Sequence, residues 1–328
     1  MPNTARENSS HKPEPPPLLK KFSERLFSEL SKQLDFQRAV LSGNYSNPCQ
    51  LWLRNRPAAP EHSLMPFDFQ PEFVERSSAN ASLAYRIEHD RGDLYLLDAS
   101  SVFMAAPLLT LSHTPEVIFD VCSAPGGKSI YVWALFHPRR LICNEVIRTR
   151  APSLISNLKR CQIAPVSVVS NDPQHLANTQ DSTCDLVIVD APCSGQALIA
   201  SGEKNPGCFH PLTIKRNANR QKRIIACAAS LVRPGGYLLY TTCTYSTDEN
   251  EKIIEWLTSR RPEFLPLEIP ALASYQSPFS ELPCFRAFPK THGLAGGFTA
   301  LLQRQTWGEN PLLKALDEDK LRCLWHQE

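Results

Sequence analysis

No two of the eleven cysteines stand in a C-x-x-C pair, which argues against zinc ribbons and thioredoxin-like redox sites. No apolar run approaches the ~20 residues needed to cross a bilayer, so no membrane contact is expected. The opening MPNTARENSSHKPEPPP is polar and proline-rich and lacks the apolar centre of a secretory leader. The thiols are therefore expected to be free, in a reducing cytoplasm, with no disulfide framework and no metal centre. Charge of one sign is also missing: the net charge is +2, so any grip on nucleic acid must come from local basic patches. No internal repeat and no large exposed apolar stripe is visible, and a monomer is expected. The 328 residues, 42% apolar and 21% charged, suit one large catalytic domain with a smaller appendage.

The pattern along the chain divides it into four parts. Residues 1–17 are rich in Pro, Ser, Asn and charge and are expected to be disordered. In LLKKFSERLFSELSKQL, Leu19, Phe22, Leu26, Leu30 and Leu34 recur at helical spacing, and CQLWLRNRP alternates as a short strand does. These place a small α+β appendage over 18–95. From about 115 the runs EVIFDVC, RRLICNE, VSVVS, DLVIVD and GYLLYTTC alternate with helical stretches such as KSIYVWALF and the long segment 212–232. Such alternation specifies a parallel sheet covered on both faces. CFRAFP and GFTALLQR read as an antiparallel edge pair, giving seven strands within 96–305. LLKALDEDKLRCLW, within 306–328, reads as a closing amphipathic helix.

Open α/β sheets bind ligands at the carboxyl ends of their strands. Here those ends carry Asp120 with Cys122, then Glu145, Asp172, Asp190 with Cys193, and Cys243. A single acid after a strand is often only a cap or turn former; five ends in register point to a site. The first turn, DVCSAPGGKS, has Gly126 and Gly127 for a tight turn and close ligand approach. It lacks the first glycine of a phosphate-binding P-loop, whose place falls at Cys122, and the G-x-G-x-x-G dinucleotide pattern is absent as well. A nucleoside ligand without phosphates fits this turn, with Glu145 accepting from ribose hydroxyls and Asp172 from an adenine amino group. S-adenosylmethionine meets all three conditions.

The two thiols fit methylation of cytosine. Carbon 5 of cytosine is a poor nucleophile, but a thiolate added at carbon 6 gives it enamine character. Such chemistry needs an acidified thiol, a group for the N3 and N4 edge of the base, and shelter from water. Asp190 precedes Cys193 by three residues and is placed for the base edge; Lys128 is placed to orient that carboxylate. One cysteine attacks and a second helps expel the first. Cys49, Cys143, Cys161, Cys184, Cys227 and Cys323 read instead as buried small hydrophobes.

These motifs resemble the Sun (Fmu)/NSUN family of S-adenosylmethionine-dependent RNA (cytosine-5) methyltransferases. DVCSAPGGKS is similar to the family's first motif. NEVIRTRAPSLISNLKRC resembles the next segment, with Arg148, Arg150, Asn157 and Arg160 along its helix, while VIVDAPCSG and TTCTYSTDENE match the Pro-Cys and Thr-Cys motifs. LLDASSVFMAAPLL and GGFTALLQR extend the likeness over 95–303. The resemblance implies a class I methyltransferase fold of Rossmann-like topology, with Cys243 as nucleophile and Cys193 assisting release. It also implies S-adenosylmethionine contacts at Cys122, Ser123, Ala124, Pro125, Gly126, Gly127, Lys128, Glu145, Asp172 and Asp190. The substrate it implies is ribosomal or transfer RNA. Gln196-Ala197 departs from the Thr-Gly common after the Pro-Cys motif.

RNA contacts are expected from KRNANRQKR at 215–223, from Arg54 and Arg56, and from Phe209 and His210 as base-stacking groups; solvated or core roles stand beside each. A non-catalytic RNA-binding or assembly factor that keeps the fold is the competing class. Methylation of protein or a small molecule would leave the two thiols without a use.

Overall fold

The computed structural model describes residues 14–56, 64–77, 86–306 and 314–328. Most of the tail expected at 1–17 therefore lies outside the described residues, as do parts of the loop at 57–75. The described chain enters directly on α1 (Pro17–Leu26), whose first position is a proline, and α2 (Leu30–Ser42) follows. Next come β1 (Pro48–Trp52), β2 (Val74–Arg76), α3 (Ile87–Asp90) and β3 (Leu94–Asp98), and the three strands form their own antiparallel sheet in the order β2-β1-β3.

The span 18–95 thus separates into two pieces. The strand piece docks on the large domain. The helical piece packs against the loop after Thr242 instead: Phe36 meets Tyr245 edge-on at 4.9 Å, and Leu19, Leu26 and Val40 close the same cluster.

Helix α4 (Ala99–Ala105) leads into the large domain, where β4 (Val117–Asp120), α5 (Gly127–Phe136), β5 (Arg140–Asn144), α6 (Ala151–Arg160), β6 (Val166–Val169) and α7 (Pro173–Thr179) alternate. They are followed by β7 (Cys184–Asp190), the short α8 (Ala197–Ala200), α9 (Pro211–Leu231), β8 (Val232–Thr242) and α10 (Glu251–Arg260). The chain closes with β9 (Phe264–Pro266), β10 (Phe285–Ala287), α11 (Pro289–His292), β11 (Gly297–Arg304) and β12 (Cys323–Gln327).

Among the described residues the main sheet has nine strands, in the order β10-β11-β8-β7-β4-β5-β6-β12 with β9 also on β11. The five inner strands are parallel, and β9, β10, β11 and β12 join antiparallel. Because strand side chains alternate, β7 sends Leu186 and Ile188 into one core layer and Val187 and Val189 into the other. The first layer packs under α4, α5 and α6, the second under α7, α9 and α10.

The expected seven strands are corrected to nine, and the expected C-terminal helix is one of the two additions. Residues 307–313 lie outside the described residues. Beyond them a short 3-10 turn at Glu318–Lys320 leads to β12, whose Trp325 pairs with Val168 and whose Gln327 pairs with Val166. The unpaired backbone of edge strand β6 outweighed the helical spacing of the leucines, and Trp325 packs on the core beside Lys159 at 5.4 Å.

The seam between the small sheet and α6 is closed by backbone. A Cβ built on Gly92, which has φ +74°, would lie 1.7 Å from the Arg160 carbonyl oxygen. Arg54 donates to the Gly92 carbonyl at 3.0 Å on its own side and across the seam to the Cys161 carbonyl at 2.8 Å, and Arg160 donates back to His89 O.

Candidate active site

The strand order reverses between β4 and β7, and a cleft of about 900 Å³ opens at their carboxyl ends. Cys122, Ala124 and Pro125 reach its wall from the turn after β4, Glu145 from β5 and Asp172 from β6. Asp190 and Cys193 reach it from β7, and Cys243 from β8. Ser123, Gly126, Gly127 and Lys128 stand behind that wall. Ser123 Oγ donates to Asp120 O at 2.8 Å. Gly126 caps α5 with φ 111°, and a Cβ on Gly127 would lie 2.8 Å from Leu97 Cδ2. The second glycine therefore lets α5 pack on β3, a different use from the close ligand approach its sequence suggests.

Cys193 Sγ and Cys243 Sγ are 3.4 Å apart. Several ties hold their loops together, among them Ser194 Oγ with Thr244 Oγ1 at 2.7 Å. Glu249 accepts from Ser194 N at 2.8 Å, from Ser194 Oγ at 2.7 Å and from Gln221 Nε2 at 3.1 Å. Ala197 N donates to Cys243 O at 3.1 Å. Gln196 accepts from Tyr245 N at 3.0 Å and donates to Cys208 O at 3.1 Å. The unusual Gln196-Ala197 pair is thus one of the bridges from one thiol loop to the other.

The two sulfurs are pushed apart electrically. The hydrogen bond from Cys193 lowers the Cys243 pKa, with nearby Lys128 adding to it against burial and Asp190. Cys193 is raised by donating that bond, then by burial, by the Cys243 charge and by Glu249. Of the two, Cys243 is the sulfur at which the thiolate is favoured, and Cys193 the one at which the proton is favoured.

Lys128 Nζ lies 2.7 Å from Asp190 Oδ2; the lysine side chain is 8% exposed and the aspartate 38%. Thr241 Oγ1 donates to the other oxygen at 2.9 Å. Burying an ammonium costs several kcal/mol before its partner repays it, so this pair serves position more than stability. Asp190 keeps an open side toward the cleft, where a base edge can meet it. Behind it, burial first and the Asp190 charge second push the fully buried Asp120 up to about 7, against hydrogen bonds from Ser129 Oγ at 2.6 Å and Cys122 N at 3.3 Å.

At the other end of the cleft, Glu145 accepts from Ile147 N at 2.8 Å and pairs with Arg150 at 3.3 Å. Asp172 caps α7 through Gln174 N at 2.9 Å and leaves its second oxygen open. Val146 and Ile147, each 40% exposed, add an apolar wall that the sequence did not single out. An apolar slot between two acceptors fits the adenosine of S-adenosylmethionine: Glu145 would hold the ribose, Asp172 the adenine edge, and the turn Cys122–Pro125 the remainder. Arg150 and Asn157 support that turn from α6 by donating to Ala124 O and Pro125 O at 2.6 and 2.9 Å. Arg148 is exposed. Among the described residues no group of acidic, His or Cys side chains is arranged to hold a metal, and no helix is long and apolar enough to cross a membrane.

Several expectations are corrected. Arg54 is a structural tie across the seam and not a free cation. Phe209 packs on Phe22 at 5.2 Å and is not offered to a base, whereas His210, whose Nδ1 accepts from Leu212 N at the start of α9, is exposed. Cys49, Cys143, Cys161 and Cys184 are buried as expected, but Cys227 is half-buried on the cleft wall and Cys323 is exposed on β12. Glu249, within the trailing Glu-Asn-Glu of the Thr-Cys motif, was visible in sequence without a role. Its partner Gln221 showed only as a polar residue on the buried stripe of α9.

The family model described as 16S rRNA methyltransferase RsmB/F matches residues 108–303, which include every one of these strand ends. The chain belongs to that family. Among curated RsmB/F relatives, ribosomal RNA small subunit methyltransferase F of Citrobacter koseri is 31% identical over 240 residues, covering 71% of this chain and 49% of the relative. The corresponding protein of Cronobacter sakazakii is 31% identical over 255 residues, covering 76% and 53%. The chain spans about half the length of the curated relatives it matches. Among solved structures, PH0851 aligns with TM-score 0.74 and 25% identity over 89% of this chain and 70% of its own. NSun6 from Pyrococcus horikoshii, solved with SFG, shares the fold at TM-score 0.69 and 18% identity, covering 89% of this chain and 99% of its own. The Rossmann-like methyltransferase architecture read from the motifs is thereby shown.

Proposed function

We propose that this RsmB/F family member methylates carbon 5 of a cytosine in small-subunit ribosomal RNA. The observation that carries the proposal is the pair of sulfurs 3.4 Å apart with opposite acidity at the rim of the cleft. S-adenosylmethionine, when bound, supplies an electrophilic methyl group. The Cys243 thiolate adds to carbon 6 of the ring, and its electron pair passes into the ring to make carbon 5 nucleophilic. Asp190, steadied by Lys128 and Thr241, accepts from the base edge and holds the ring over the sulfur. Cys193 keeps its proton until Cys243 is consumed. Carbon 5 takes the methyl group as the sulfonium C–S bond breaks and S-adenosylhomocysteine departs. With Cys243 held in the adduct, Cys193 loses its proton to water; as a thiolate it takes the carbon-5 proton, whose electron pair restores the C5=C6 double bond as the C6–S bond breaks and Cys243 leaves as thiolate.

The family match supports ribosomal RNA as substrate, and the cleft's two acceptors support S-adenosylmethionine as donor. Methylation of total ribosomal RNA with tritiated S-adenosylmethionine, digestion to nucleosides and chromatography tests the proposal. Label in 5-methylcytidine is the expected result; label confined to another nucleoside or to protein overturns it.

A further inference from the structure

Between Glu203 and Asp248 the sequence has no Asp or Glu, while seven Lys and Arg residues fall there, five of them on α9. Arg216, Arg220 and Arg223 stand at i, i+4 and i+7 and so share one face over roughly 10 Å of helix. The buried stripe, with Ile214, Ala218, Gln221 and Ile225, faces the sheet instead. Arg220 and Arg223 line the cleft, between the loop that bears Cys193 and the Asp172 end.

Across the cleft, Lys128 pairs with Asp190 at 2.7 Å and Arg150 with Glu145 at 3.3 Å, while Asp172 has no cation partner among the described residues. Off the stripe, Lys222 lies over the Trp256 ring at 5.8 Å. Among the described residues, Arg216, Arg220 and Arg223 have no carboxylate partner and no side-chain hydrogen bond. A merely solvated helix face carries both signs of charge; this one carries only guanidinium groups, whose forks match phosphate oxygens bidentately.

We infer that Arg216, Arg220 and Arg223 form a track for the backbone phosphates of the target strand, along the α9 side of the cleft, while the base turns toward the two thiols. The inference rests on the proposed RNA substrate. Phosphate contacts fix register and orientation without reading sequence, so the track serves affinity and placement while Asp190 meets the base.

The test is binding of a fluorescein-labelled, cytosine-containing 20-nucleotide oligoribonucleotide to the full chain at several salt concentrations, beside calorimetric titration with S-adenosylmethionine. Each phosphate of a single strand that the protein no longer neutralises reduces the slope of log K against log salt by about 0.7. The triple change Arg216→Gln, Arg220→Gln, Arg223→Gln is therefore expected to reduce that slope by about 2 while leaving affinity for S-adenosylmethionine intact. Should the triple variant fail to fold, Arg216→Gln and Arg223→Gln alone, at exposed positions, are each expected to remove about 0.7. An unchanged slope overturns the inference, as does loss of affinity for S-adenosylmethionine with RNA binding retained. Wild-type protein that binds RNA through this track yet makes no 5-methylcytidine would sink the proposed function and leave the track standing.

Discussion

Cys193 and Cys243 are the same functional group, carried just beyond the ends of two neighbouring parallel strands and 3.4 Å apart. Their surroundings nevertheless make them different reagents. Cys243 receives a hydrogen bond and sits near the Lys128 ammonium; Cys193 gives that bond and sits near the buried Glu249 carboxylate. Placement at a strand end brings a thiol to the cleft, and the charge behind it decides what the thiol does. The same sequence pattern, a cysteine closing an apolar run, therefore yields a thiol of lowered pKa in one loop and one of raised pKa in the other.

Removing either sulfur tests that difference most severely. Cys243→Ala is expected to lower methyl transfer by more than about a thousandfold and to form no adduct, read as tritium incorporation and as a shifted band on a denaturing gel. Cys193→Ala is expected to accumulate the protein–RNA adduct, because attack survives and release stalls. A dead Cys193→Ala beside an active Cys243→Ala would reverse the assignment.

The Cys193 variant sharpens the contrast further through pH. Its S–H is the largest cause of the lowered Cys243 pKa, so without it the thiolate loses stabilisation and the pKa rises toward the ordinary value. The midpoint of the adduct-formation rate should then move to higher pH than in Cys243 paired with its natural neighbour; an unchanged midpoint would show that the bond does not acidify Cys243. Lys128→Met is expected to shift the same profile in the same direction and to slow transfer at neutral pH by about ten- to a hundredfold, since it also frees Asp190. Glu249→Gln should act least on chemistry. It places an N–H donor against Ser194 or Gln221 and is expected to cost about 1–3 kcal/mol of stability, measured by denaturant unfolding, with Cys243 still able to attack.

The parallel sheet was legible because five Val/Ile/Leu-rich runs alternate with helical segments, and the strand-end acids and thiols followed from that pattern alone. What escaped depended on partners distant in sequence. The leucines of LLKALDEDKLRCLW have helical spacing, but β6 offered an open edge and took Cys323–Gln327 as a strand. Arg54 looks like an RNA contact until Cys161, 107 positions away, supplies its acceptor. Glu249 and Gln221 are 28 residues apart and meet only because α9 and the loop before α10 flank the same thiol. Local pattern reveals elements and strand ends; the second partner of a buried polar group is not local.

The glycine seam at the small sheet has a mechanical meaning. With Gly92 pressed on the Arg160 carbonyl and Arg54 bonded across it, the three-stranded unit has no hinge against α6. A side chain at position 92 would have to prise the small sheet off α6, so the fit of the two rests on there being none.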